Sequence, residues 1–172
     1  YGTGYNYLGL FSLLTGSSSI SNLDIQATVT GSGRMGILAG INGGAVSNVT
    51  TSGSVNAIST ASSGDGWNIG GLVGVNEGAG FISKSSSSAT VTGIYQNIGG
   101  LVGVNSSRIE QSFSSGKVIV NPSTTSFNIG GLVGENSGGI VNNSHSKGLV
   151  EINGPSNSVG GLIGNATKNN AN

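Results

Sequence analysis

Few side chains in this 172-residue chain can move a proton or hold a metal: one histidine, His145, and six carboxylates, Asp24, Asp65, Glu77, Glu110, Glu135 and Glu151. A hydrolase acting on a glycan would need a pair of carboxylates on one face, one as acid and one as base or nucleophile. These six are scattered singly, and only Glu77 and Glu135 could approach a common edge, with the uncharged run Asn105-Ser106-Ser107 between them. A zinc site would want several His, Cys or carboxylate ligands converging. The chain has no cysteine, and no second histidine stands beside His145, so a thiolate site, a disulfide framework and a histidine cluster are all excluded. No metal and no cofactor is expected, and the chain is read as a non-enzyme.

Glycine is abundant, at 33 residues, but it is not arranged to cradle phosphate, because no Lys-Ser/Thr follows the glycine phrases and no helical pattern opens after them. The calcium repeat Gly-Gly-x-Gly-x-Asp is absent, since the phrases contain no aspartate. Six basic residues balance six acidic ones without clustering, which argues against nucleic acid as a partner. No apolar run approaches the roughly 20 residues of a membrane-spanning helix. Asn-x-Ser/Thr triplets such as those at Asn48, Asn105 and Asn165 are of the kind an Asn- and Ser-rich sequence produces by chance. A regular threonine ladder of the ice-binding kind is excluded, because the column through Thr28 continues as Ser54, Thr90, Lys117 and Leu149.

What the chain does contain is repetition. The phrase Ile69-Gly70-Gly71-Leu72-Val73-Gly74-Val75-Asn76 returns at Ile98 to Asn105, Ile129 to Asn136 and Val159 to Asn165. Degraded copies lie at Met35 to Asn42 and Leu8 to Leu13. The matched glycines Gly40, Gly74, Gly103, Gly134 and Gly164 stand 34, 29, 31 and 30 residues apart. A period near thirty marks a supersecondary unit that buries its apolar side only by stacking on its neighbours.

A second motif follows each glycine phrase, opening at Ile20, Val46, Ile82, Ile109 and Val141 and closing at Val29, Val55, Val91, Val118 and Val150. Alternation with period two reads as a strand. The inner parity shrinks from Leu23 and Ile25 to Ser85 and Ser87, so the interior must be narrow there. Outward parity holds Asp24, Thr50, Ser86, Phe113 and His145, then Gln26, Ser52, Ser88, Ser115 and Lys147, a mostly wet face. The columns predict an all-β solenoid of about five to six coils, roughly 30 residues per coil, with about 4.8 Å between layers. Leu38, Leu72, Leu101, Leu132 and Leu162 form the expected core column. Asn42, Asn76, Asn105, Asn136 and Asn165 form an expected structural ladder of stacked amides at a corner. The longest insertion, Ser59 to Asn68, carries Asp65 and the single tryptophan, Trp67. It is the candidate partner-contact loop, because tryptophan often anchors binding.

Gly-Gly-Leu-Val-Gly-x-Asn, at Gly71 to Asn76, Gly100 to Asn105 and Gly131 to Asn136, closely resembles the GLUG-motif repeat family. Gly161 to Asn165 departs by Ile163 and by the missing residue before Asn165. The resemblance implies that residues 1–172 are one repeat solenoid inside a longer secreted or surface bacterial protein. Parents of that kind include filamentous-haemagglutinin-like adhesins and immunoglobulin A peptidases, where the array lies outside the metal site. It supplies no catalytic residue. The expected role is an extracellular, non-catalytic adhesin stalk or scaffold, whose partner is a surface protein or glycan of a host or neighbouring cell. The alternative is a surface filament built by self-association through the solenoid ends, and a third reading is an accessory region of a secreted peptidase.

Overall fold

The computed structural model describes residues 6–58, 68–122 and 125–167. They form a β-solenoid whose coils run through three parallel faces. The first face stacks Tyr7–Leu8, Arg34–Met35, Ile69–Gly70, Gln96–Gly99, Ser126–Gly130 and Ser156–Gly160. The second stacks Phe11–Leu14, Ala39–Asn42, Val73–Asn76, Val102–Asn105, Val133–Ser137 and Ile163–Thr167. Six strands on each of these two faces and five passes of the third make five full coils and the described part of a sixth. No described helix is long and apolar enough to cross a membrane.

Each glycine phrase is therefore two strands joined by a bend, with Gly71-Leu72, Gly100-Leu101 and Gly131-Leu132 at the corner. The leucines are one layer apart: the N–H of Leu38 donates to Leu72 O, Leu72 to Leu101 O, and Leu101 to Leu132 O, each at 2.9 Å. Leu38, Leu72, Leu101 and Leu132 are fully buried, while Leu162, at the end of the described stack, is 39% exposed. The second valine column is stacked too, with Val55, Val91, Val118 and Val150 in successive register.

The third face departs from the straight strand that period two predicts. Its first two coils are long strands, Ser19–Gly31 and Ala45–Ala57, paired along almost their whole length. In the next three coils the same stretch breaks into short strands, such as Phe81–Ser83, Ser86–Ser87 and Thr90–Gly93. One residue in every coil is left-handed at the same place: Asn22, Asn48, Lys84, Gln111 and Asn143, with φ between 47° and 55°. This corner explains a spacing of three, not two, between Ile20 and Leu23 or between Ile82 and Ser85. A left-handed residue flips the phase, so both flanking apolar positions still point inward.

The corner also costs ladder hydrogen bonds, and serine restores them. The Ser85 hydroxyl donates to Ser83 O at 2.8 Å and accepts the Val49 N–H at 3.1 Å from the coil before. Ser112 repeats this with Glu110 O and Ser85 N–H, and Ser144 with Asn142 O and Ser112 N–H. A small side chain with one donor and spare acceptor capacity is what such a position needs.

The interior divides into two apolar clusters. One gathers Leu38, Val46, Leu72, Ile82, Leu101, Ile109 and Leu132. The other gathers Met35, Val55, Ile69, Val91, Ile98, Val118 and Ile129. Between them the coil pinches where Ser87, Ser114 and Ser146 meet the backbone at Gly71, Gly100 and Gly131. A Cβ on those glycines would collide with the serine side chains, so the seam is paired small against small. The Ser114 hydroxyl donates to Gly131 O and pairs with the Ser146 hydroxyl at 3.1 Å, from which it can accept, so it is satisfied inside the protein. The largest length differences between coils fall where the third face returns to the first, at 58–68, 93–96, 120–126 and 152–156, and smaller ones fall at the turn from the second face to the third, as between Asn42 and Ala45 against Asn76 and Phe81.

This placement separates two substitutions to aspartate. Leu101→Asp buries an unpaired charge in the column and is expected to cost more than about 4 kcal/mol. Ser115→Asp lies on the exposed face and should stay within about 0.5 kcal/mol of the parent. Thermal unfolding followed by circular dichroism checks both, and equal melting temperatures would contradict the inside-outside assignment.

Candidate functional site

The titratable groups singled out by the sequence are distributed over the coils, each among its own neighbours. His145 is exposed on the third face and stacks on Phe113, with ring centroids 5.2 Å apart and planes within 5°. Register explains the contact, because Phe113 and His145 are direct partners in adjacent coils. Asp24 accepts from the Thr50 hydroxyl of the next coil. Glu110 pairs with Arg108 two residues before it, and the Arg108 guanidinium lies 5.5 Å from the Phe81 ring centroid. Glu135 accepts from Asn128 Nδ2 at 3.3 Å. Glu151 accepts from Lys117 at 2.7 Å and from Asn153 at 3.3 Å. The hydrogen bond from Lys117, then that from Asn153, then the lysine charge hold the Glu151 carboxyl below its ordinary range. Glu77 sits on an exposed turn at the second corner. Among the described residues no three His, Cys, Asp or Glu side chains gather as a metal site would require. Asp65 and Trp67 lie outside the described residues.

The asparagines are brought together. Asn42 Nδ2 donates to Asn76 Oδ1 at 2.9 Å, Asn76 to Asn105 at 2.8 Å, and Asn105 to Asn136 at 2.7 Å. Asn136 Nδ2 ends the run on Gly139 O at 2.7 Å. Two of these amides also tie down their own turns, Asn42 by bonding the Gly44 carbonyl and N–H and Asn105 those of Ser107, while Asn76 Nδ2 reaches Arg108 O of the next coil. Asn42, Asn76 and Asn105 are fully buried, so these amides are engaged inside the protein and closed to a ligand. Glycine is required beside them, because a Cβ at Gly80 or Gly139 would strike the Asn76 or Asn105 amide.

Asn165 corrects the expected ladder. It pairs in register with Glu135, and Ala166 takes the place opposite Asn136. The cause is visible in the sequence: Gly164 is followed directly by Asn165, whereas Gly103 and Gly134 are each followed by one residue before the asparagine. A one-residue deletion shifts the side chain out of the column.

A second amide ladder escaped the sequence reading. Asn97 Nδ2 donates to Asn68 Oδ1 at 2.8 Å, and Asn128 Nδ2 to Asn97 Oδ1 at 2.9 Å. Asn97 and Asn128 are left-handed, with φ of 53° and 57°, so this is another corner-like kink on the first face. Its signal was the residue immediately before each phrase, Asn-Ile-Gly-Gly at 68, 97 and 128. Asparagine combines tolerance of this backbone geometry with an amide that donates to the preceding coil and accepts from the following one.

The two asparagine columns predict different costs. Asn105→Ala strands the Asn136 acceptor and the buried Asn76 donor and is expected to lose about 1–3 kcal/mol. Asn165→Ala, outside the column, should change stability by less than about 0.5 kcal/mol. Urea unfolding of both variants measures the difference.

Comparison with known proteins places these coils. Residues 65–92 and 94–119 match the GLUG motif. An 82-residue stretch, 47% of this chain, is 40% identical to halomucin of Haloquadratum walsbyi (strain DSM 16790 / HBSQ001). The match covers 1% of halomucin, so it relates one short array and not two whole proteins. That relative is archaeal, which means the likeness is not confined to bacterial proteins. No solved structure matches the chain. Two successive coils of this solenoid thus carry the GLUG motif.

Proposed function

We propose that this chain is a non-catalytic repeat module of a secreted or cell-surface protein, serving as an adhesin stalk or scaffold. The observation that carries the reading is the engagement of polar groups by the stack itself. Buried amides and serine hydroxyls bond from coil to coil, and Asp24, Glu110, Glu135 and Glu151 each meet a nearby side chain. An array built this way transmits length and stiffness, because each layer contacts only its neighbours. The GLUG motif and the likeness to a short part of halomucin support a module within a larger protein. Contact with a partner protein or glycan is assigned to the longest insertion in the repeat, the one that carries Asp65 and Trp67.

A filament of end-to-end solenoids is the second reading. It is favoured by the identity of the layers: leucine, valine and asparagine columns recur in most coils, so one coil's edge complements another's.

Deleting residues 60–66 together with Trp67→Ala, in a cell-displayed form of the chain, tests the first reading. The melting temperature should stay within about 2 °C, because the ladders are untouched. Cell binding should fall about tenfold or more if tryptophan is the anchor. Unchanged binding would remove the loop from the proposal, and turnover of a polysaccharide or peptide by the purified chain would overturn the non-catalytic reading.

A further inference from the structure

The triplet Asn-x-Ser/Thr occurs a fourth time, at Asn142-Asn143-Ser144. Such a triplet offers an amide nitrogen to glycosyl transfer, with a hydroxyl two residues on. Composition cannot rank the four sites, but their placement in the solenoid does. Asn105 is fully buried, and its Nδ2 donates both to Asn136 Oδ1 and to Ser107 O. A sugar there would break the amide ladder. Asn48 is exposed at the left-handed corner, yet its Nδ2 is held by Asn22 Oδ1 at 2.7 Å. Asn165 is half-buried beside Glu135 in register.

Asn142 differs from all three. It ends the strand Ile140–Asn142 on the outward side and is exposed. Its register partner, Glu110, is occupied by Arg108. The next residue, Asn143, is left-handed at φ 47°, and this turn brings the Ser144 hydroxyl within 2.7 Å of the Asn142 carbonyl oxygen. The triplet is thus wrapped around a surface corner, with the acceptor residue exposed.

We propose that Asn142 is an acceptor for an N-linked glycan and that Asn105 is closed to one. The donor is a saccharide carried on a polyprenyl diphosphate and presented by a membrane transferase. Asn142 Nδ2 attacks the anomeric carbon, the N–C bond forms, and the C–O bond to the diphosphate breaks. The diphosphate leaves with the electron pair, and one amide proton passes to a base of the transferase. The native modification rests on the surface reading above, because the chain must meet such a transferase on its way out. Asn142 stands on the corner opposite the variable-loop edge of the third face, so a glycan there leaves that edge open.

The test is to secrete the chain from a eukaryotic host and map its glycopeptides after peptide N-glycosidase treatment in heavy-oxygen water. Label is expected at Asn142 and not at Asn105 in the folded, secreted protein. Asn142→Gln and Ser144→Ala should each abolish it, with Asn142→Gln leaving the melting temperature unchanged. An unlabelled Asn142, or label at Asn105, would overturn the proposal. Finding the native protein only inside its cell would defeat the surface reading instead, and leave the acceptor result in the secretory host standing.

Discussion

Everything in this structure depends on parallel backbone pairing in register, which lays each residue on its counterpart from the coil before. A column must therefore consist of residues that tolerate their own kind at a distance of about 4.8 Å. Leucine, valine, serine and asparagine do so, through dispersion or through a side chain that both donates and accepts. Charge does not, because like charges stacked directly repel. In the paired strands each charged residue faces an uncharged one: Asp24 faces Thr50, Arg108 faces Phe81 and Ile140, Glu110 faces Ser83 and Asn142, and Glu151 faces Ile119. The charged share of only 7% is then a consequence of stacking. The same constraint disperses the groups from which an active site would have to be assembled.

A stack of identical layers must still turn corners, and the turns set the second requirement. Where the chain bends, backbone groups lose their ladder partners, and a buried polar group left alone is costly. Two devices answer this. Asparagine columns bridge adjacent layers by side-chain amides, at Asn42 to Asn136 and at Asn68 to Asn128. Serine columns do it by accepting a backbone N–H from one layer and donating to a carbonyl in their own, as at Ser85 and Ser112. In the two long-strand coils Leu23 and Val49 hold the serine position, and there the third face pairs almost without interruption. Leucine and serine at one column position thus mark two ways of taking the same bend.

How much was legible follows from the same physics. The leucine, valine and first asparagine columns could be read because self-stacking residues recur at fixed positions in the repeat. The solenoid and its pinched interior followed from them. The bend at Asn22, Asn48, Lys84, Gln111 and Asn143 was hidden, since its residue types share no side-chain property beyond polarity. Only the three-residue step to Leu23 or Ser85 recorded it. The ladder at Asn68, Asn97 and Asn128 was missed because it precedes the apolar phrase from which the repeat was counted. Asn165 was placed by name when spacing should have decided, as the deletion after Gly164 puts it opposite Glu135. The candidate contact residues Asp65 and Trp67 could be chosen only from composition and insertion length, which carry no geometry.

The division of labour within one coil gives the fold its bearing on function. Positions on the ladders are coupled to every layer above and below, so a change there is felt along the stack. Two kinds of position escape. The return from the third face to the first varies in length from coil to coil while strands on either side stay in register, as Val120 over Ile152 and Ile98 over Ile129 do. The outward side of the left-handed corner varies in chemistry from asparagine to lysine to glutamine without altering the turn. Side chains at these two edges are constrained least by stacking, which leaves them free to diversify toward partners while the interior remains an array of repeated contacts.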